Sequence, residues 1–166
     1  MAIREIRLFG DPVLNTAADP VTAFDAPLRR LVGDMLETMD HAGGVGLAGN
    51  QVGVAKRVFV FDCQGMRGHI VNPVWRALGE YMQHGREGCL SVPGITGDIT
   101  RHNTVVASGV DMFGRPLTLR GTGLLARCIQ HETDHLDGVM FLRRMEPEQR
   151  KVAMAEVRNS DWMKEK

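Results

Sequence analysis

Apolar residues at Leu28, Leu31, Val32, Met35, Leu36 and Met39 recur every three or four positions, the spacing of an amphipathic helix. Asp25 can cap that helix, Pro27 is tolerated in its first turn, and Gly43-Gly44 stops it, while Asp34 and Glu37 fall off the stripe. The same period returns late in the chain at Leu124, Leu125, Cys128, Ile129, His135 and Leu136. There Thr122 is the expected cap and Gly138 the stop, giving a helix of about four turns. Between the two helices the pattern is that of strands. Residues 57–63 are almost continuously apolar, as in a buried strand. A turn at Gly65 and Gly68 leads to a short strand over 69–73, and residues 74–84 read as a further extended segment. Residues 105–110 and 116–119 flank Asp111-Met112-Phe113-Gly114 as a hairpin with a four-residue connection. Residues 1–24 read as an extended arm, with turns at Gly10-Asp11-Pro12 and Asp19-Pro20. Residues 139–145 are a short apolar continuation, after which Pro147 opens a last helix that should pack through Val152, Met154, Ala155 and Val157. This order predicts an α+β fold in a single domain spanning 1–166. Small, mostly antiparallel sheets are expected around the second helix, with a short C-terminal helix within 145–166.

Composition narrows the function classes. Hydrophobic residues make up 43% of 166 and charged residues 24%, enough for a sizeable core. Lys+Arg and Asp+Glu both number 20, so bulk electrostatics provide no case for nucleic-acid binding. No apolar run approaches membrane-spanning length, and the start of the chain lacks the apolar core of a secretory signal, so a cytoplasmic location is expected. Cys63, Cys89 and Cys128 are an odd, widely spaced set, which argues against a disulfide framework. Lys151, Lys164 and Lys166 read as solvated charge.

The candidate chemistry lies in the second helix, where His131-Glu132-Thr133-Asp134-His135 carries the pattern H-E-x-x-H. Histidines four apart stand one above the other on a helix and can offer two imidazoles to one metal ion. Glu132, about 100° round the axis, would stand beside the ion as a general base. The histidines share the apolar face, where unpaired polar groups are costly. A catalytic site of this kind needs a third protein ligand and one position for water. Cys128, His131 and His135 span about 10 Å of helix axis, too far for one ion, so Cys128 reads as a wall residue. Asp134 has too short a side chain to reach the same ion, and Asp137 lies on another face. Cys89, in Glu87-Gly88-Cys89-Leu90-Ser91, is the better candidate, although a lone cysteine is more often buried structure than a ligand. The Gly-rich stretch over 43–53 lacks the spacing and lysine of a phosphate loop. It reads instead as a loop of tiny residues whose backbone can approach a ligand, with the Gln51 amide at its end.

Three stretches taken together resemble the peptide deformylase family: Gly44-Val45-Gly46-Leu47-Ala48-Gly49-Asn50-Gln51, Glu87-Gly88-Cys89-Leu90-Ser91 and Gln130-His131-Glu132-Thr133-Asp134-His135. The likeness runs from about Ile3 to Met145. It implies hydrolysis of the N-formyl group from the formylmethionine of newly made polypeptides. It further implies Cys89, His131 and His135 as ligands of one divalent metal, Fe²⁺ in the cell with Ni²⁺, Co²⁺ or Zn²⁺ as substitutes. By the same likeness Glu132 handles the proton, and Gln51 with the Leu90 N–H stabilises the oxyanion. Gly46 binds the peptide backbone, and Val45, Leu124 and Cys128 line the methionine pocket. Arg101 matches a residue near the peptide groove. A monomer is expected, with transient ribosome contact at most and neither nucleic acid nor membrane as a partner. The alternatives are a zinc endopeptidase and a catalytically degenerate metal-binding homologue. Departures from the family pattern are Gly49 in place of a second alanine, expected to loosen the loop, and Gly43 in place of an acidic residue, expected to weaken attraction of substrate at that rim. Gly85 replaces an aliphatic residue, which is expected to open the methionine pocket. The segment 94–98 is also unlike the better-known bacterial forms, and the C-terminal helix is short.

Overall fold

The computed structural model describes residues 2–165. Helix α1 spans Ala26–Ala42: the Asp25 carboxylate accepts from the Leu28 N–H at 3.2 Å, and Gly43 ends the helix at φ 71°. Its stripe is buried at Leu28, Leu31, Val32, Met35 and Met39. Asp34 lies off the stripe, yet it is not solvated. The N-terminal arm covers it, with the Ala2 N–H 2.7 Å from Oδ1 and Arg4 Nε 2.9 Å from Oδ2.

Five strands form an antiparallel sheet in the order β1-β2-β3-β6-β7: β1 Gly46–Ala48, β2 Val58–Cys63, β3 Met66–Ala77, β6 Thr104–Val110 and β7 Pro116–Thr122. Strands β4 (Met82–Gly88) and β5 (Thr96–His102) pair separately as a two-stranded sheet. The continuous apolar run of β2 has a direct cause. Phe59 and Phe61 face one cluster with Leu125, Ala126, Ile129 and Leu136, whereas Val58 and Val60 face another with Leu31, Val32 and Met35. A strand buried on both faces has no polar alternation to show.

Several expectations change. The Gly-rich stretch is not wholly a loop: it forms β1 and a 3₁₀ turn over Gly49–Val52. Gly49 does not loosen it, because a Cβ there would stand 2.7 Å from the Lys56 carbonyl oxygen and 2.8 Å from that of Val54. Gly68 belongs to β3 rather than to a turn, and the segments expected over 69–73 and 74–84 divide between β3 and β4. Pro73 sits inside β3 because the ladder shifts register between Val71 and Val74, with Asn72 at φ 52°. A bulge is where a strand can hold a residue without an N–H. The β6–β7 connection contains five residues, since Val110 pairs with Pro116.

Helix α2 spans Leu124–Leu136 and carries the H-E-x-x-H pattern. Its N-cap is Gly123 at φ 61°, not Thr122, which stays in β7 and donates its hydroxyl to the Asn103 carbonyl. Gly138, at φ 77°, follows the Asp137 C-cap. A 3₁₀ turn over Phe141–Arg144, α3 (Pro147–Arg158) and α4 (Asp161–Lys164) follow. These segments pack with Val92, Ile95 and Ile99 at the β4–β5 end. In α3 the buried residues are Ala153 and Val157, whereas Val152 is 61% exposed. The helix therefore presents a neighbouring face to the core. Lys151 and Lys164 are exposed, and Lys166 lies outside the described residues. Among the described residues no helix is long and apolar enough to cross a membrane.

Candidate metal centre and active site

Two elements bring the ligand candidates together. The chain leaving β4 delivers Cys89, and α2 delivers His131 and His135 from one face. Their ligand atoms all lie within 4.8 Å of one another. Cys89 Sγ is 3.3 Å from His135 Nε2, which is 3.2 Å from His131 Nε2. Donors bonded to one tetrahedral ion at 2.0–2.3 Å would stand about 3.4 Å apart, so the spacing fits. Cys128 is apart from this trio, as its place on the helix implied. Its thiol points at the Val45 carbonyl, 3.6 Å away, and burial with the nearby Glu132 pushes its pKa up.

Around the trio lies a set of fixed partners. His131 Nδ1 stands 2.7 Å from Glu87 Oε2. Burial alone would raise the Glu87 carboxyl, but bonds from His131 and Arg101 outweigh it and hold the pKa well below the usual range. An ionised carboxylate can only accept, so Nδ1 carries a proton, and Nε2 is the ring atom that faces Cys89 and His135. Glu87 is held in turn by Arg101 at 2.6 and 3.1 Å and by Arg127 at 2.8 Å. Arg101 also reaches Asp134 at 2.7 Å, and Arg144 closes on the same carboxylate at 2.9 and 3.1 Å. Arg101 is thus 5% exposed and absent from the cavity wall. Its position is behind the histidines rather than along a peptide groove. Glu87, Asp134, Arg127 and Ser91 escaped the reading of the sequence as site residues. Glu87 was within reach, being two residues before Cys89 in a quoted motif and a carboxylate available to orient a histidine.

A cavity of about 400 Å³ opens beside Cys89 and His131. Val45, Gly46, Gln51, Leu90, Leu124, Cys128 and Glu132 line it, with Cys89 and His131 at its floor. Val45 and Leu124 are exposed at 43% and 46%, unusual for apolar residues beside a buried centre. Glu132 is buried, and its Oε1 has no hydrogen-bond partner among the described residues. Burial pushes its carboxyl up to about 7, with Glu87 and Asp134 acting in the same direction. Such a group is suited to taking and returning a proton near neutral pH. Gly46 permits the arrangement, because a Cβ there would stand 2.5 Å from Glu132 Oε2 and 2.7 Å from Cys128 Sγ.

Donors face the same space. Gln51 accepts from the Ala48 N–H at 3.0 Å, which turns its amide nitrogen toward Ser91 Oγ at 3.1 Å and Cys89 Sγ at 3.6 Å. The Leu90 N–H has no acceptor among the described residues. Strand β1 is an edge of the five-stranded sheet. The Asp62 N–H donates to the Val45 carbonyl, so alternation along an antiparallel ladder turns the N–H and C=O of Gly46 to the open side. An extended peptide can add there as a strand. Gly85 does not leave the cavity open as expected, because the Arg127 guanidinium takes the space above it.

Three converging N and S donors, a buried carboxylate with one unpartnered oxygen, the Gln51 amide and the Leu90 N–H on an α+β frame define a hydrolase site built to hold a metal ion. The chain belongs to the polypeptide deformylase family, whose model matches residues 3–151. It is 58% identical over 166 residues to peptide deformylase 1 of Corynebacterium efficiens, with 98% of each chain covered. It is 57% identical over 162 residues to the peptide deformylase of Acidothermus cellulolyticus, covering 98% of this chain and 89% of that one. The crystal structure of a peptide deformylase from Legionella pneumophila superposes with a TM-score of 0.91 at 38% identity, 99% of each chain being covered. That from Synechococcus elongatus, in complex with actinonin, gives 0.86 at 40% identity over 92% of this chain and 86% of that one.

Proposed function

We propose that this chain removes the formyl group from the N-terminal formylmethionine of newly made polypeptides, releasing formate and a free amino terminus. The observation that carries the mechanism is Glu132 Oε1, buried without a partner beside the Cys89, His131 and His135 donors. Those three residues would hold one divalent ion, Fe²⁺ in the cell, with Ni²⁺, Co²⁺ or Zn²⁺ able to substitute. When bound, the ion supplies the Lewis acidity that makes water a nucleophile near neutral pH. Glu132 takes the proton of the attacking water at Oε1 and later returns it to the departing amine nitrogen. The Gln51 amide and the Leu90 N–H donate to the carbonyl oxygen as it gains negative charge. Gly46 holds the peptide backbone at the open edge of β1, while Val45, Leu124 and Cys128 flank the methionine side chain. Arg101 acts as a positioning residue, holding Glu87 against His131.

In this reading residues 1–166 form one catalytic domain, monomeric and cytoplasmic, organised around α2. Ribosome contact is at most transient. Formyl-Met-Ala-Ser is the substrate to test, with chain loaded anaerobically with Fe²⁺ or Ni²⁺. Formate release is expected, with no cleavage of internal peptide bonds. Glu132→Ala should keep its metal and lose at least a hundredfold in kcat. Absence of formate would sink the reading and leave a degenerate metal-binding homologue; internal cleavage would favour an endopeptidase. Cys89→Ala should lose metal on dialysis, whereas Cys128→Ala should retain it.

A further inference from the structure

Charge at the cavity mouth is one-sided. Of the carboxylate and guanidinium groups that line the cavity, Glu87, Arg127 and Glu132 are buried, and Glu87 is already taken by Arg101 and Arg127. Gly43 and Gly94, at φ 71° and 79°, bring no side chain to the rim. Arg86 is the exposed charge left there among the described residues. It shares the outward side of β4 with Gly88, while the inward side holds Glu87. Its Nε donates to Thr96 Oγ1 at 2.8 Å, and Thr96 lines the same cavity. Asp98 stands opposite Arg86 in the β4–β5 ladder, yet the two make no ion pair. Both terminal nitrogens of Arg86 are therefore left without a hydrogen bond or ion pair among the described residues.

An arginine held at Nε, with Nη1 and Nη2 free beside a cavity, is half of a carboxylate-binding pair. Given the deformylase reading above, on which this rests, we propose that Arg86 is a specificity-determining residue that binds a carboxylate on the peptide downstream of formylmethionine. The distance fits. Arg86 precedes Cys89 by three residues, about 10 Å of extended chain. An extended peptide on the open edge of β1, with its formyl group at the ligand trio, carries its second residue after methionine a similar distance. A carboxylate there can come from an Asp or Glu side chain or, in a tripeptide, from the chain terminus. Both offer the two acceptor oxygens that a guanidinium takes as a fork. The pair forms at the exposed rim, away from the bond that breaks, so it acts on binding rather than on the chemical step.

The test compares kcat/KM within two pairs of substrates at low ionic strength, with chain loaded with Ni²⁺. Formyl-Met-Ala-Asp-amide against formyl-Met-Ala-Asn-amide reads a side-chain carboxylate; formyl-Met-Ala-Ser against its amide reads the chain terminus. The acid should be preferred about threefold to fivefold in at least one pair, through KM, and the pair that shows it names the source. In about 1 M salt, where the screening length is about 3 Å, the preference should shrink below about twofold. Arg86→Ala should abolish it, Arg86→Glu should reverse it, and Arg86→Lys should keep part of it, as a charge without the fork. A merely structural Arg86 would change both members of a pair alike and leave the ratio unmoved. No preference in either pair, or one that survives high salt or Arg86→Ala, would overturn the proposal. The salt dependence is read on the wild type, so it decides even where a substitution fails to fold. Wild-type turnover of formyl-Met-Ala-Asn-amide checks the underlying function separately; with that turnover present, an absent preference counts against Arg86 alone.

Discussion

Gly46 shows how much one missing methyl group can decide. The Glu132 carboxylate and the Cys128 thiol occupy the place where a Cβ would stand. Gly46→Ala must therefore push Glu132 off its position without touching any ligand candidate. We expect metal content to remain unchanged and kcat/KM to fall at least about a hundredfold, the scale of an ångström's misplacement at a reacting centre. Glu87 is the second decisive residue. Glu87→Gln leaves Arg127 and His131 without their carboxylate, and metal affinity should fall 10- to 100-fold in a competitive chelator titration. The same residue gives a pH dependence. Its folded pKa is depressed below the ordinary 4.5, so its contribution to stability is complete above that value and is lost as pH falls through the folded one. Thermal melts from pH 7 to 3 should therefore fall less steeply for Glu87→Gln than for wild type. Equal slopes would contradict this account.

At the scale of elements, what could be read from the sequence depended on which faces were buried. The α1 stripe was legible because one face is core and the other solvent; β2 was legible as a buried strand because it is apolar on both. Strand β5 was missed for the opposite reason. Its buried face consists of Gly97, Ile99 and Arg101, and neither a glycine nor a charged residue advertises burial. The ligand candidates at 131 and 135 followed from helix periodicity. Cys89 remained ambiguous until the ordered motifs were considered together, since periodicity says nothing about a ligand on another element. The Asn72-Pro73 bulge was legible only as a place where a strand should end. In the fold it continues β3, and the Asn72 side chain clamps the arm through the Val21 N–H at 2.8 Å and carbonyl at 3.0 Å. Asn72→Ala should cost about 2 kcal/mol in urea unfolding, from two lost hydrogen bonds and a left-handed backbone that alanine tolerates poorly.

For the whole molecule, the C-terminal segment matters through the cavity rim. The indole of Trp162 donates to the Pro93 carbonyl at 3.1 Å, and Pro93 lies at the cavity mouth. Removing residues 159–166 should raise KM for a formylated tripeptide a few fold, lower Tm by roughly 2–4 °C, and leave metal content unchanged. An unaltered KM would mean that the rim holds its shape without α4.

Among the described residues the two-stranded β4–β5 sheet has no ladder to the five-stranded sheet that carries α2. The Cys89 thiol follows the first, and the imidazoles belong to the second. An ion shared among them would act as a cross-link between two parts of the chain some forty residues apart, contributing to stability as any ligand of the folded state does. Because one jaw of that link would be a cysteine sulfur, oxidation of that single atom would do more than stop turnover. It would release the link, so that resistance to heat and enzymatic activity decay together under oxidising conditions.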